Sequence, residues 1–203
     1  MPSHLTIGSH CQIEAPPTKK SRFIADAFPV SDETEANRCI EQVRAAFADA
    51  SHHCFAWRLQ EGDRGWRSAD DGEPGGTAGQ PILARIDGAD LRGVLVVVTR
   101  YFGGTKLGKG GLIRAYGGAA SLVLQQADII EVRQTKSMRI TIAYTDQGAV
   151  QGALRAVGLE PLETAFGTEV TITLAVPVED VEPLTAEIRD RTAGRAQVIF
   201  TGA

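Results

Sequence analysis

Residues Gly93–Ala127 read GVLVVVTRYFGGTKLGKGGLIRAYGGAASLVLQQA, and three kinds of local structure follow in order. Gly93–Phe102 is a continuous, β-branched run, which predicts a strand buried on both faces. Gly103–Gly111 (GGTKLGKGG) predicts a loop. Leu112–Ala127 then takes up helical spacing, with Leu112, Ala115, Tyr116, Ala119, Leu122 and Val123 on one face and Arg114, Gly118, Ser121 and Gln125 on the other. The pair Gly117-Gly118 inside that helix costs about 1 kcal/mol per glycine relative to Ala, a cost that close backbone packing would explain.

Upstream, Gln12–Val30 reads as extended chain interrupted at Pro16-Pro17. Asp32, followed by Glu35, predicts a capped helix to about Asp49, with Ala36, Ile40, Val43 and Phe47 on its apolar face. His52–Leu59 alternates as a strand, with His53, Phe55 and Trp57 on one side and His52, Cys54 and Ala56 on the other. A turn at Glu61-Gly62-Asp63 lets Gly65–Ala69 pair back. Asp70–Gly79 is polar and glycine-rich, hence a loop, and Thr77 with Gln80 predicts a capping box for a short helix Pro81–Ile86.

Downstream, the pattern restarts near Arg133–Lys136. Met138, Ile140, Ile142 and Tyr144 alternate, and Asp146 opens a helix facing inward through Val150, Ala153, Leu154 and Val157. Strands near Glu160–Phe166 and Glu169–Val176 follow, then a helix marked by Val181, Leu184 and Ile188, then a strand Ala196–Phe200. This β-α-β-β-α-β order is the split-βαβ pattern of a ferredoxin-like domain. The expectation is an α+β chain of two domains, residues 1–135 and 136–203.

The net charge of −4 gives no global attraction to nucleic acid, but its distribution is uneven. Residues 137–203 hold 5 basic and 9 acidic side chains, whereas Arg92–Ala127 contains Arg92, Arg100, Lys106, Lys109 and Arg114 and no acid. An anionic partner responds to that local field rather than to the total. The cysteines, Cys11, Cys39 and Cys54, are an odd and sparse set, as in reduced cytosolic proteins. No run approaches the roughly 20 apolar residues of a membrane span, and the N-terminus has no signal-peptide core, so a cytoplasmic location without membrane contact is expected.

The first candidate site is the loop after the buried strand. Gly103-x4-Gly108-Lys109 falls one residue short of a P-loop because Gly110 stands where a hydroxyl would ligate magnesium, which argues against nucleotide hydrolysis. Glycines at a helix start still expose N–H groups to an anion. Gly103, Gly104, Gly108, Gly110 and Gly111, with Lys106, Lys109 and Arg114, therefore form a candidate anion site. Arg100-Tyr101-Phe102 and Arg114-x-Tyr116 add the cation and aromatic interleaving that suits RNA. The plainer alternative is a tight turn with solvated cations.

The second candidate is Asp70, Asp71 and Glu73, with His53 and Thr77 nearby in pattern, as a small-ligand site. Here the plainer alternative is capping, turn formation and ion pairing with the basic loop. His52, His53 and Cys54 lack the companion ligands of a zinc site. Neighbouring strand residues point apart, which makes His53 a poor base for a Cys54 nucleophile. No metal or cofactor is called for.

Several long motifs stand together in this chain. They are Lys19-Lys20-Ser21-Arg22-Phe23-Ile24, His52-His53-Cys54-Phe55-Ala56-Trp57, the stretch Ser68–Pro81 (SADDGEPGGTAGQP) and the stretch Val98–Tyr116 (VTRYFGGTKLGKGGLIRAY). They closely resemble the IMPACT (imprinted-and-ancient) family in its bacterial two-domain form, strongly over residues 18–127. The resemblance implies a first domain like domain 2 of ribosomal protein S5 and a ferredoxin-like second domain. The resemblance links the chain to translation but carries no partner with it; joined to the basic, aromatic-flanked loop, it gives the expectation of a non-enzymatic regulator that binds RNA or the ribosome. The alternative is an enzyme or binder of a phosphate-bearing small ligand, using Asp70–Glu73 against Gly103–Gly111.

Overall fold

A computed structural model describes residues 3–60, 65–133 and 135–201, so the expected turn at Glu61-Gly62-Asp63 lies outside the described residues. The chain divides into two compact units, His4–Val132 and a second that begins at Arg133. The α+β class stands in both.

The first unit is built on a five-stranded sheet. Its strands are β2 (Cys11–Thr18), β3 (Ser21–Pro29), β4 (His52–Arg58), β5 (Trp66–Ala69) and β6 (Val94–Tyr101). The spatial order is β2-β3-β6-β4-β5, and every neighbouring pair is antiparallel. Strand β6 is central and buried on both sides, as its β-branched run requires. Alternation sends Val94, Val96 and Val98 to one core, under α2 (Gly79–Gly88) and α3 (Lys109–Gln126). Leu95 and Val97 go to the other core, under α1 (Glu33–Ala46). On β4 the same rule puts Cys54 and Ala56 below α2 and α3, and Phe55 and Trp57 below α1.

Local chemistry sets the element ends. The Asp32 carboxylate accepts the N–H of Glu35 at 2.8 Å and starts α1, which stops at Ala46, short of the expected Asp49. Pro16 and Pro17 lie inside β2 rather than between two strands. They are tolerated because β2 is an edge strand whose register shifts between Ala15 and Thr18. The Thr77–Gln80 capping box does not form: the Thr77 hydroxyl donates to the Pro74 carbonyl at 2.6 Å, and Gln80 donates to Ser68 Oγ at 3.0 Å. Helix α3 begins at Lys109, three residues before the expected Leu112, because Gly108 at φ 72° turns the chain into the helix. A short ribbon, β1 (His4–Ile7) with β7 (Ile129–Val132), was absent from the sequence reading.

Gly117 meets the packing expectation and Gly118 does not. A Cβ at Gly117 would come within 3.3 Å of Arg85 Nε, whereas one at Gly118 would meet nothing within 4 Å.

The second unit has β8 (Thr135–Ile142), α4 (Gln147–Ala156), β9 (Glu163–Phe166), β10 (Val170–Pro177), α5 (Val181–Arg191) and β11 (Gln197–Thr201). The order β11-β8-β10-β9, antiparallel throughout, is the split-βαβ arrangement. Met138, Ile140 and Ile142 pack with Ile172, Leu174 and the inward faces of α4 and α5. Tyr144 leaves the strand and Val157 is exposed, so neither holds its expected inward place. Asp146 caps α4 only by position. Its carboxylate takes two N–H groups of Arg195 at 3.0 and 2.7 Å, and that pairing holds it below the usual carboxylate range.

Candidate functional site

Asp70, where β5 ends, curls the acidic loop onto the start of α2. Its Oδ1 accepts from the N–H groups of Ala78 and Gly79 at 2.9 Å each, and Oδ2 accepts from Gly76 at 2.8 Å. Burial alone would raise its pKa, yet the N–H groups of Gly76, Gly79, Ala78 and Thr77 together hold it below the usual range. Gly79 is obligatory, since a Cβ there would stand 2.7 Å from Ala69 N. Asp71, at φ 44°, accepts from Arg44 at 3.0 Å and from the His53 N–H at 2.7 Å.

Glu73 points inward. Its Oε1 accepts from Arg100 Nη1 at 2.5 Å and from the Tyr116 hydroxyl at 2.7 Å. Burial, then the nearby Cys54 and Glu73, push the Tyr116 hydroxyl well above its ordinary range, so it remains a neutral donor. Three elements thus meet on one carboxylate: the acidic loop, β6 and α3.

The expected small-ligand set therefore does not assemble as one site. His53 shares its sheet face with Phe55 and Trp57 and bonds Thr99 Oγ1 at 3.1 Å, across the sheet from Glu73 and Arg100. Its burial lowers its pKa and keeps the imidazole neutral. Thr77 and Asp70 are committed to the loop itself. Burial pushes the Cys54 thiol up to about 12, and it donates to the Asp70 carbonyl, which leaves no ready nucleophile. Among the described residues no cluster of three or more His, Cys, Asp or Glu side chains is placed to hold a metal ion.

The anion-site residues also divide. Arg100 is only 4% exposed, its guanidinium bonded to Glu73 and Ser21 and lying over the rings of Phe23 and Phe102. It is a buried structural cation, contrary to the surface contact expected of it. Tyr101 donates to Asp49 and stacks under Arg22. Gly103 is glycine for steric reasons, because a Cβ would lie 2.1 Å from the Lys20 carbonyl carbon. Gly104 and Gly108 supply positive φ. No packing demand fixes Gly110, where a Cβ would meet only Arg114 Nη1 at 3.6 Å.

Lys106, Lys109 and Arg114 remain exposed. Beside them opens a cleft of about 360 Å³. Pro74, Phe102, Leu107 and Leu112 supply its apolar lining, and Glu73, Arg100, Lys106 and Lys109 its charges. Gly108 also lines it and has no side chain with which to cap α3, so the first-turn N–H groups of that 18-residue helix lack a capping acceptor. Pro74 had no expected role, and the two aromatics expected beside the cations divide: Phe102 lines the cleft, whereas the Tyr116 hydroxyl is spent on Glu73. For Tyr116 a signal existed: a tyrosine on an apolar helix face needs a partner for its hydroxyl.

Residues 19–124 match the model of the Impact N-terminal domain, and 140–195 match a domain of unknown function, DUF1949. The chain belongs to the IMPACT family. It is 34% identical over 180 residues to the IMPACT family member YvyE of Bacillus subtilis, covering 89% of this chain and 83% of that one. It is 32% identical to the IMPACT family member YigZ of Escherichia coli, covering 89% and 90%. A crystal structure described as a hypothetical protein superposes with a TM-score of 0.65 at 30% identity, over 98% of this chain and 97% of that one. All the cleft residues of this IMPACT family chain fall within the Impact N-terminal domain. Among the described residues no helix is long and apolar enough to cross a membrane.

Proposed function

We propose that this chain is a non-enzymatic binding protein linked to translation, which takes phosphate groups of single-stranded RNA at its glycine-rich loop. The observation that carries the reading is the start of α3. Three exposed cations, Lys106, Lys109 and Arg114, surround a helix N-terminus that has no capping side chain, and the half-exposed Phe102 stands next to them. Backbone N–H groups and the positive end of the helix dipole attract an anion there. A second reading, a compact phosphate-bearing small ligand, is favoured by the cleft itself. Its volume of about 360 Å³ and its mixed apolar and charged lining suit one small molecule.

Anisotropy with short single-stranded ribosomal RNA fragments at several salt concentrations tests the first reading. With three cation contacts, the log–log salt slope should be about −2, from roughly 0.7 per contact. The triple variant Lys106→Ala, Lys109→Ala, Arg114→Ala should bind much more weakly while keeping its circular dichroism spectrum. Equal affinities, or no binding at low salt, would remove the RNA reading.

A further inference from the structure

We infer that the cleft seats a single nucleotide unit, with its phosphate on the first turn of α3 and its base against Phe102; this rests on the phosphate-binding reading above. The cleft is amphiphilic in a way that bare phosphate would leave half unused. Lys106, Lys109 and the α3 N-terminus supply the anion end, whereas Pro74, Phe102, Leu107 and Leu112 form an apolar wall. The Arg100 guanidinium lies 5.4 Å from the centroid of the Phe102 ring, and 48% of Phe102 is exposed, which leaves ring surface open to stacking by a base.

A second feature points to a ligand independently. Arg100 lines the cleft at 4% exposure, and its Nε is buried with no acceptor in the protein, although Nη1 and Nη2 are both bonded. A buried donor without a partner is rare in folded proteins. The volume of about 360 Å³ is right for one nucleotide and too small for a duplex.

The test is calorimetry on the full chain with inorganic phosphate, uridine, uridine 5′-monophosphate, and a short RNA carrying either a 5′-phosphate or a 5′-hydroxyl. The monophosphate should bind about 5- to 150-fold tighter than inorganic phosphate, the range that stacking of one base supplies. Phe102→Ala should remove that advantage and leave phosphate affinity unchanged, and Phe102→Tyr, which keeps the ring, should restore it. If the 5′-phosphorylated RNA matches the monophosphate and the 5′-hydroxyl RNA is weaker, the unit is a strand terminus; if only the monophosphate binds, it is a free nucleotide. Both results support the inference. If phosphate and monophosphate bind equally, or Phe102→Ala weakens both alike, the nucleotide inference falls and phosphate binding stands. If neither binds, the underlying reading falls with it.

Discussion

The acidic loop and the glycine-rich loop are both dense in glycine and charge, yet they use these in opposite ways. In the acidic loop, Asp70, Asp71 and Glu73 all find donors within the fold: loop N–H groups, Arg44 and the His53 N–H, and Arg100 with Tyr116. In the glycine-rich loop, Lys106, Lys109 and Arg114 stay in solvent around a helix start without a capping side chain. The difference follows from the groups. A carboxylate is a short, acceptor-only group that a compact loop can surround with N–H donors. A lysine ammonium sits on a long flexible stem and is strongly hydrated, so a loop gains little by tying it down. Charge in a loop signals a site only after its partners inside the fold are subtracted.

The largest effect should come from the carboxylate that ties three elements together. Glu73→Ala leaves Arg100 charged, buried and without its carboxylate, a loss of about 3–5 kcal/mol for a broken buried pair. Urea unfolding of the first unit measures it, and a loss below 1 kcal/mol would mean that the Glu73–Arg100 pair does not hold the acidic loop to β6. Next come two neighbouring glycines that should separate sharply. Gly103→Ala drives a Cβ into the Lys20 backbone and should cost about 3 kcal/mol, the upper end for overpacking. Gly104→Ala has open space and should cost only the left-handed backbone strain, about 1 kcal/mol.

Asp70→Ala should cost about 2 kcal/mol, because buried N–H groups at the start of α2 lose a charged acceptor. The folded-state pKa of Asp70 is lowered, so its contribution is complete above the ordinary aspartate value of 3.8 and is lost as pH falls through the lower folded value. The stability gap between wild type and variant should therefore be constant at neutral pH and close below about pH 4. The smallest effect on stability belongs to the other loop. Lys106→Ala and Lys109→Ala should each stay within about 0.5 kcal/mol of wild type, as solvated surface groups do. A larger loss would show that these lysines serve the fold.

Most of the fold was legible because period and burial agree. The run Val94–Tyr101 could only be a central strand, and the alternation on β4 assigned Cys54 and Phe55 to different cores. The misses have physical causes. The β1–β7 ribbon joins residues more than a hundred positions apart through short segments with no strong pattern. Gly108 gave no sequence sign that it would start α3 early, since a glycine fits a loop and an N-cap equally well. At the candidate site, the residue types were legible and their partners were not. Arg100 reads as an RNA contact beside Tyr101 and Phe102, and only the fold reveals that Glu73, 27 positions away, has already neutralised it.

The contrast between the two loops has one direct measurement. Amide resonances of the full chain can be followed by two-dimensional NMR while inorganic phosphate is added at constant low ionic strength. The account predicts saturable shifts at Gly108, Lys109, Gly110 and Gly111, with the amides of Gly76, Ala78 and Gly79 unmoved because Asp70 already occupies them. Shifts that fail to saturate, or that fall on the acidic loop and spare the start of α3, would contradict it.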